Sequence, residues 1–454
     1  MSRDVAEACI EAGVAAADPE RAVREQLHVE AERLHVGGET FDFADYDRIV
    51  VAGGGKAAAA VVRGLGAVLG QRITEGVVVT DGDTEGLRPV EGDDTDEEGD
   101  GAEDVTGDDE SARDDAEDEE NVPPRVEALV GDHPVPSERN VDATERVLDL
   151  LERCDERTLV VAPVTGGGSA LLAAPTVPLD AFRELTEALV ESGADIHEIN
   201  AVRKRLSRVK GGGLAAAAAP ATALALLVSD VVGDDPGVIA SGPFAPDESS
   251  AEEALAVLDR YGIEADESVR EALRTGGEAA TDLDHVHTHL LVNTRTAIDA
   301  AADLAFESGY DPLVLSSSMR GEAREIALAH VAVAEEVGAA GDPVAPPAAV
   351  LSGGEVTVTV AGDGEGGPNL ELALAAALDL PEGVTLASVD TDGHDGGTDV
   401  AGAVVDSGTV GDDADAAREA LADNDALPFL RERDALLDVE STTNVNDLRL
   451  VLVE

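Results

Sequence analysis

The chain has 454 residues, 43% of them hydrophobic, with 47 Gly and 20 Pro, enough for two or three cores at about 150 residues per domain. Against 96 Asp and Glu stand 31 Lys and Arg, a formal net charge of -65, and such a field repels nucleic acid and anionic membranes. Two cysteines, Cys9 and Cys154, cannot make a disulfide framework, no run of about 18 apolar residues spans a bilayer, and the acidic amphipathic N-terminus is no signal peptide, so a cytoplasmic location is expected.

In chain order, residues 4–35 read as helix from their apolar spacing. Strand and helix signals then alternate. Strands are predicted at 47–52, 76–80, 158–164, 222–228, 288–292, 312–316, 348–352, 356–360, 384–389 and 402–405. Between them helices are predicted at 56–69, 140–153, 179–193, 250–259, 296–308, 321–338, 369–378 and 413–422. This alternation predicts an α/β fold with mostly parallel sheets and helices on both faces. Residues 84–121 have no periodicity and read as a disordered acidic insertion; 91–120 hold 18 acids and one Arg, so -48 of the net charge is spread over the rest of the chain. That spread reads as adaptation to high salt. Two domains are expected, 1–245 (carrying the insertion) and 285–454, with the change inside the Asp-, Glu- and Ser-rich stretch between them.

Only three of the 31 basic residues are lysine, Lys56, Lys204 and Lys210, and all three lie beside glycine runs. A surviving ammonium is expected where a compact cation is needed, as beside phosphate oxygens. Ligands of open α/β sheets bind at the carboxyl ends of strands, and five predicted strand ends carry glycine or aspartate. They are Gly53-Gly54-Gly55-Lys56, Gly166-Gly167-Gly168-Ser169, Asp230 with Asp234 and Asp235, Gly353-Gly354-Glu355, and Asp390-Asp392-Asp395. Glycine lets a backbone approach an anion, and paired carboxylates suit Mg²⁺. The spacing Gly53, Gly55, Ala58, with Asp81 and Asp83 after the next strand, also matches a degenerate dinucleotide fingerprint, so a nicotinamide-dependent oxidoreductase stays open here. Asn200, Arg203 and Lys204 open a basic island that suits a carboxylate or phosphate, or surface ion pairs. His285, His287 and His289 share one strand face, as metal ligands or as an ordinary exposed edge.

These blocks resemble, in order, the class II glycerate 2-kinase family, whose C-terminal half is the MOFRL domain. The resemblance runs through GGGKAAAA (53–60), GDHPVPSERN (131–140), TGGGSALL (165–172), SGADIHEINAVRKRLSRVKGG (192–212), VSDVVGDDPGVIASGP (228–243), SSSMRGEARE (316–325), LSGGEVTVTV (351–360) and SVDTDGHDGGTDVAGAVVD (388–406). It implies a kinase that phosphorylates D-glycerate at the 2-hydroxyl with ATP and Mg²⁺, in a cleft between two Rossmann-like domains; a homodimer is an open expectation beside it. It implies Lys56 as a catalytic residue and the loops Gly53–Gly55, Gly166–Ser169 and Gly353–Glu355 at nucleotide phosphates. In this reading Asn200, Arg203 and Lys204 hold the substrate, Asp230 orients or deprotonates the attacking hydroxyl, and Asp390 and Asp392 hold the metal directly or through water. Pro368 stands where the family commonly has an arginine, which puts that role on Arg203, Arg320 or Arg324. A hydroxypyruvate reductase using a nicotinamide cofactor and a non-catalytic anion-binding relative are the alternatives.

Overall fold

A computed structural model describes residues 2–82, 84, 87–89, 125–276 and 283–454; the acidic run 91–120 lies outside them. Seven parallel strands form the first sheet. Across it lie Val286–Val292, Thr222–Val228, Thr158–Thr165, Arg48–Gly54, Ile73–Thr80, Val126–Val130 and Arg88–Pro89. The first strand of the chain to enter this sheet, Arg48–Gly54, lies at its middle. Later strands are added on one side up to Val126–Val130, and on the other from Thr158–Thr165 onward. This is the doubly wound order, and its direction reverses between Arg48–Gly54 and Thr158–Thr165.

Alternation sets the two faces. Val51, Leu159, Val161, Leu224 and Leu226 pack with Val61, Val62 and Leu65 of the helix Ala58–Leu69. Val50, Ala52, Val160, Ala162 and Ala225 pack with Val147, Leu148 and Leu151 of the helix Glu138–Leu151. Successive side chains of a strand point to opposite faces, so a strand buried on both sides is apolar throughout. The helices Leu179–Glu191, Ile196–Arg205, Ala251–Tyr261 and Glu267–Thr275 close a separate small core around Leu185, Leu189, Val202 and Leu258.

The second sheet runs Asp311–Ser316, Ala348–Gly354, Asp447–Val453, Val384–Asp390, Gly402–Asp406, Leu436–Leu437. The expectation of mostly parallel sheets holds for the first sheet but not here. Only Asp311–Ser316 with Ala348–Gly354 is parallel; the other four pairings are antiparallel. The last strand inserts between two others, and Val384–Asp390 reaches Gly402–Asp406 through a loop with no crossover helix, which a parallel pair would require.

A second domain beginning at 285 would contain Val286–Val292, but that strand pairs with Thr222–Val228, so the division between sheets falls after residue 292. The helix expected over 4–35 is broken. Ser2–Ala16 is followed by a second helix that Pro19 opens, capped by Asp18 on the Arg21 N–H (2.7 Å), and then by a three-stranded antiparallel sheet over Leu27–Asp42. Ser2–Ala16 leaves its own half of the chain and packs on the helix Thr294–Glu307 and the strands Val384–Asp390 and Asp447–Val453. Of 356–360 only Val356–Thr357 is strand. No helix among the described residues is long and apolar enough to cross a membrane.

Candidate active site

The cleft opens where the first sheet reverses. Lys56 follows Arg48–Gly54, and its N–H donates to the Gly166 carbonyl (2.9 Å) across the reversal. The Ala57 N–H donates to Thr165 Oγ1 (3.1 Å). The helix Ala58–Leu69 then begins without a side-chain cap, which leaves its positive end for whatever binds beside Lys56. Gly167 turns left-handed (φ 75°), and a Cβ there would lie 2.9 Å from Lys56 Cγ and 3.3 Å from His133 Cδ2. Only glycine lets the loop, the lysine stem and the imidazole meet.

Two cavities open beside the Lys56 and Gly166–Gly167 loops, and Lys56 itself lines the first. One, of about 670 Å³, is lined by Lys56, Arg63, Asp81, Asp392, His394 and the loop Ser441–Asn444. The other, of about 740 Å³, is lined by Gly166, Gly167, Ser169, Ile196, Asp230, Arg320 and Glu355, among others. Both lie between the two halves. Asp230 follows the buried strand Thr222–Val228 and sits against Gly166, where any Cβ would strike its carboxylate. Burial pushes the Asp230 carboxyl up to about 6; Glu355 adds to the rise and Lys56 opposes it. Burial, then the Asp447 carboxylate, raises Glu355. Burial, then Lys56, holds His133 below the usual imidazole range, so it is neutral beside the ammonium.

The expected site residues divide. Lys56, Gly166, Gly167, Ser169, Asp230, Glu355 and Asp392 reach the cavities. Gly53, Gly54 and Gly55 are buried and filled against by the chain itself: Gly53 by the Pro163 carbonyl, Gly54 by Val79 and Leu172, Gly55 by Thr165. Gly168 packs on Ala240, and Gly353 on Thr294 and Asp447. Gly354 (φ 120°) yields to the Met319 backbone. These six glycines serve close packing rather than an open phosphate cradle.

The basic island also divides. Lys204 faces a third cavity, of about 470 Å³, with Asn200, and lies 3.6 Å from Asp247. Arg203 is partly buried beside Lys210, and burial lowers its pKa. Lys210 is buried and donates to the carbonyls of Ser169 (2.6 Å) and Leu172 (3.2 Å), so this lysine props the glycine loop from behind. Ser241 Oγ lies 2.7 Å from Ser169 Oγ and donates to Asn200 Oδ1 (2.9 Å), while Asn200 Nδ2 is buried without a partner among the described residues. Ala240 and Ser241 both take positive φ, 52° and 62°, strained backbone that holds this hydroxyl under the loop.

Of the aspartates at 390–395, Asp395 is spent inside the protein. It accepts from the Asn369 and Leu370 N–H groups (2.9 and 2.8 Å) and so caps the helix Pro368–Ala377. Asp390 lies behind Asp392. Burial first, then Asp392 and Asp447, push its carboxyl up to about 8. Among the described residues no group of three or more His, Cys, Asp or Glu is arranged to hold a metal. The Asp390–Asp392 pair alone fits a cation that takes one or two carboxylates and keeps water and phosphate as its other ligands, which is the habit of Mg²⁺. The three histidines take separate partners: His285 the Ala215 carbonyl, His287 the Glu39 carboxylate at 3.5 Å, His289 the Gln26 amide.

Sequence reasoning missed His133, which stands near Gly167 and Lys56, and the loop Ser441–Asn444, which lines the cleft. The signal for His133 was its place in GDHP, immediately after a strand; Ser441–Asn444 was hidden because the strand that follows it was not recognised.

Fold and cleft together define a two-lobed α/β protein with a polar site at the switch point of a doubly wound sheet. Residues 5–274 match a family described as a domain of unknown function (DUF4147), and residues 348–447 match the MOFRL family. A Thermotoga maritima protein named D-glycerate 2-kinase is 40% identical over 427 residues, 91% of this chain and 93% of its own. An Agrobacterium vitis relative bearing a hydroxypyruvate reductase name is 40% identical over 72% of this chain and 78% of its own length. A crystal structure of a Thermotoga maritima glycerate kinase superposes with a TM-score of 0.81 at 37% identity, covering 100% of this chain and 99% of that one. The chain belongs to the MOFRL-domain glycerate 2-kinase family.

Proposed function

We propose that the protein is a kinase that transfers the γ-phosphoryl group of MgATP to the 2-hydroxyl of D-glycerate. The observation that carries this reading is that Lys56 lies against Gly167 and Asp230 against the adjacent Gly166, in a chain related along nearly its whole length to a protein named D-glycerate 2-kinase. Phosphoryl transfer needs positioning and charge stabilisation more than covalent chemistry. In this reading the Lys56 ammonium offsets charge on the transferring group, and the uncapped start of Ala58–Leu69 adds its dipole. Asp230, ionised above about pH 6, accepts the proton of the attacking hydroxyl. The hydroxyl oxygen bonds to phosphorus as the bond to ADP breaks. Asp390 and Asp392 would hold Mg²⁺, which supplies charge neutralisation at the phosphates. Gly166, Gly167 and Ser169 line the wall with backbone, braced by Lys210 and Ser241. Asn200, Arg203 and Lys204 belong to the substrate side in this reading, next to the main cleft.

The reductase reading has the doubly wound order and one relative's name in its favour. Against it, the Gly53 and Gly55 positions of the dinucleotide fingerprint are occupied by Pro163 and Thr165, where a pyrophosphate would need open backbone. The test is a coupled assay at high KCl. ADP formation that requires both D-glycerate and ATP, with 2-phosphoglycerate as product, supports the kinase. NADH oxidation by hydroxypyruvate without ATP would overturn it in favour of the reductase, and ligand binding without turnover in favour of a non-catalytic relative.

A further inference from the structure

The cavity at Asp230 has a second wall, contributed by the C-terminal half, and one arginine stands on it. Arg320 follows the strand Asp311–Ser316 on a short loop. That loop is fixed: the Ser318 N–H donates to Ser316 Oγ (3.0 Å), and the Met319 N–H donates to the Gly353 carbonyl (2.8 Å). Gly354 at φ 120° makes room for the Met319 backbone, since a Cβ there would overlap it. The loop carrying Arg320 is thus locked to the loop carrying Glu355, and both side chains line the cavity opposite Gly166, Gly167 and Ser169.

Arg320 is exposed and makes no hydrogen bond or ion pair among the described residues, although Asp195, Asp230, Asp235 and Glu355 line the same cavity. Most arginines of this acidic chain are claimed. Arg324, one helical turn on, donates to Glu371 (2.6 Å) and to the Leu421 carbonyl, inside its own half. Arg203 is held in the N-terminal half beside Lys210. Arg320 is therefore the arginine that the second half presents to the cleft with its donors unspent. A guanidinium offers planar, paired N–H groups that match the oxygens of phosphate and carboxylate.

We propose that Arg320 is a substrate-binding residue that takes the anionic oxygens, phosphate or carboxylate, of the substrate seated against Gly166–Ser169. The proposal rests on the kinase reading for its kinetics but not for its binding test. Arg320→Met and Arg320→Lys are made in the full chain. Isothermal titration with ATP, D-glycerate and inorganic phosphate is run beside steady-state kinetics. Arg320→Met should lower kcat/KM on the order of 100-fold, the effect of losing one positioned donor, with the melting temperature held. Arg320→Lys should retain part of the activity, and added guanidinium chloride at low concentration should restore part of it to Arg320→Met. A loss confined to the D-glycerate KM assigns the guanidinium to the carboxylate; a loss in kcat or the ATP KM assigns it to phosphate. If the unaltered chain shows no ATP-dependent turnover, the kinase reading fails by itself. The titrations then decide: weaker binding in Arg320→Met supports the role, and unchanged binding of all three ligands overturns it. Kinetics within about twofold for both substrates in an active enzyme overturn it as well.

Discussion

At the residue scale the cleft is a set of charges held at unusual cost. Lys56 is brought to Gly167 by one turn of left-handed backbone and is the cation nearest Asp230 in effect. Lys56→Ala should lower kcat by roughly 100- to 1000-fold while the circular-dichroism spectrum and melting temperature stay put. Asp230 carries a pH dependence whose sign follows from its raised carboxyl, about 6 against an ordinary 3.8. The folded state holds this proton more tightly than the unfolded chain, so the contribution to stability is present below pH 3.8 and lost as pH rises through about 6. Activity needs the ionised form, so kcat/KM should climb through about pH 6 while stability falls. Asp230→Asn should separate the two: turnover is lost, and the melting temperature at pH 8 rises by about 1–2 °C, the response of a chain this long to roughly 1–2 kcal/mol. A variant less stable than the parent at pH 8 would show that the buried charge is better paired than argued.

At the element scale, turns and caps rather than strands place the chemistry. Gly167→Ala puts a methyl 2.9 Å from Lys56 Cγ in a backbone region that L residues avoid. It should cost about 1–2 kcal/mol and lower activity more than stability, because the lysine stem must shift. A Tm series and kcat/KM on the same preparation read both. Asp395→Ala removes two capping acceptors from Pro368–Ala377 and leaves the Asn369 and Leu370 N–H groups without them, while the Asn369 side chain keeps Asp447 and Ser388. The expected loss is about 1–3 kcal/mol in urea unfolding, with the KM values of any folded fraction near normal.

How far the sequence could be read follows the same division. The strands Thr158–Thr165 and Thr222–Val228 are continuous apolar runs buried on both faces, and both are legible to within a residue. The residues at their carboxyl ends, Gly166 and Asp230, are legible for the same reason. The three-stranded sheet over Leu27–Asp42 was not, because its short strands carry apolar residues at spacings that a helix also satisfies. Asp447–Val453 was missed although its pattern is apolar, and Arg449 in its centre is fully buried against Asp447, a pairing no spacing rule announces. The glycines 53–55 drew a phosphate reading because sequence alone cannot distinguish a glycine that admits a ligand from one that admits a neighbouring strand.

For the whole molecule the charge decides the working conditions. Carboxylates spread outside 91–120 leave -48 to be screened. Between 0.1 M and 1 M salt the Debye length falls from about 10 Å to about 3 Å. The protein should therefore melt lower and lose activity on dilution to about 0.1 M KCl, with MgATP restoring part of the loss by mass action. A circular-dichroism melt across KCl concentrations tests this, and a profile flat against salt would defeat the high-salt reading.

The helix Ser2–Ala16 rests on the far half of the chain, and a Cβ on Gly13 would meet the Leu448 side chain. The strand bearing Leu448 is the last of the described strands in chain order, yet it lies inside its sheet, between Ala348–Gly354 and Val384–Asp390. On the ribosome, then, Ser2–Ala16 has only part of its seat, on Thr294–Glu307 and Val384–Asp390, until residue 448 has left the exit tunnel, and the second sheet is incomplete without that strand. The contact of the first helix with the second sheet is complete only after Asp447–Val453 enters the gap between its neighbours. Two halves expressed as separate polypeptides would each carry one part of this clasp, and they should associate with each other rather than behave as independent domains.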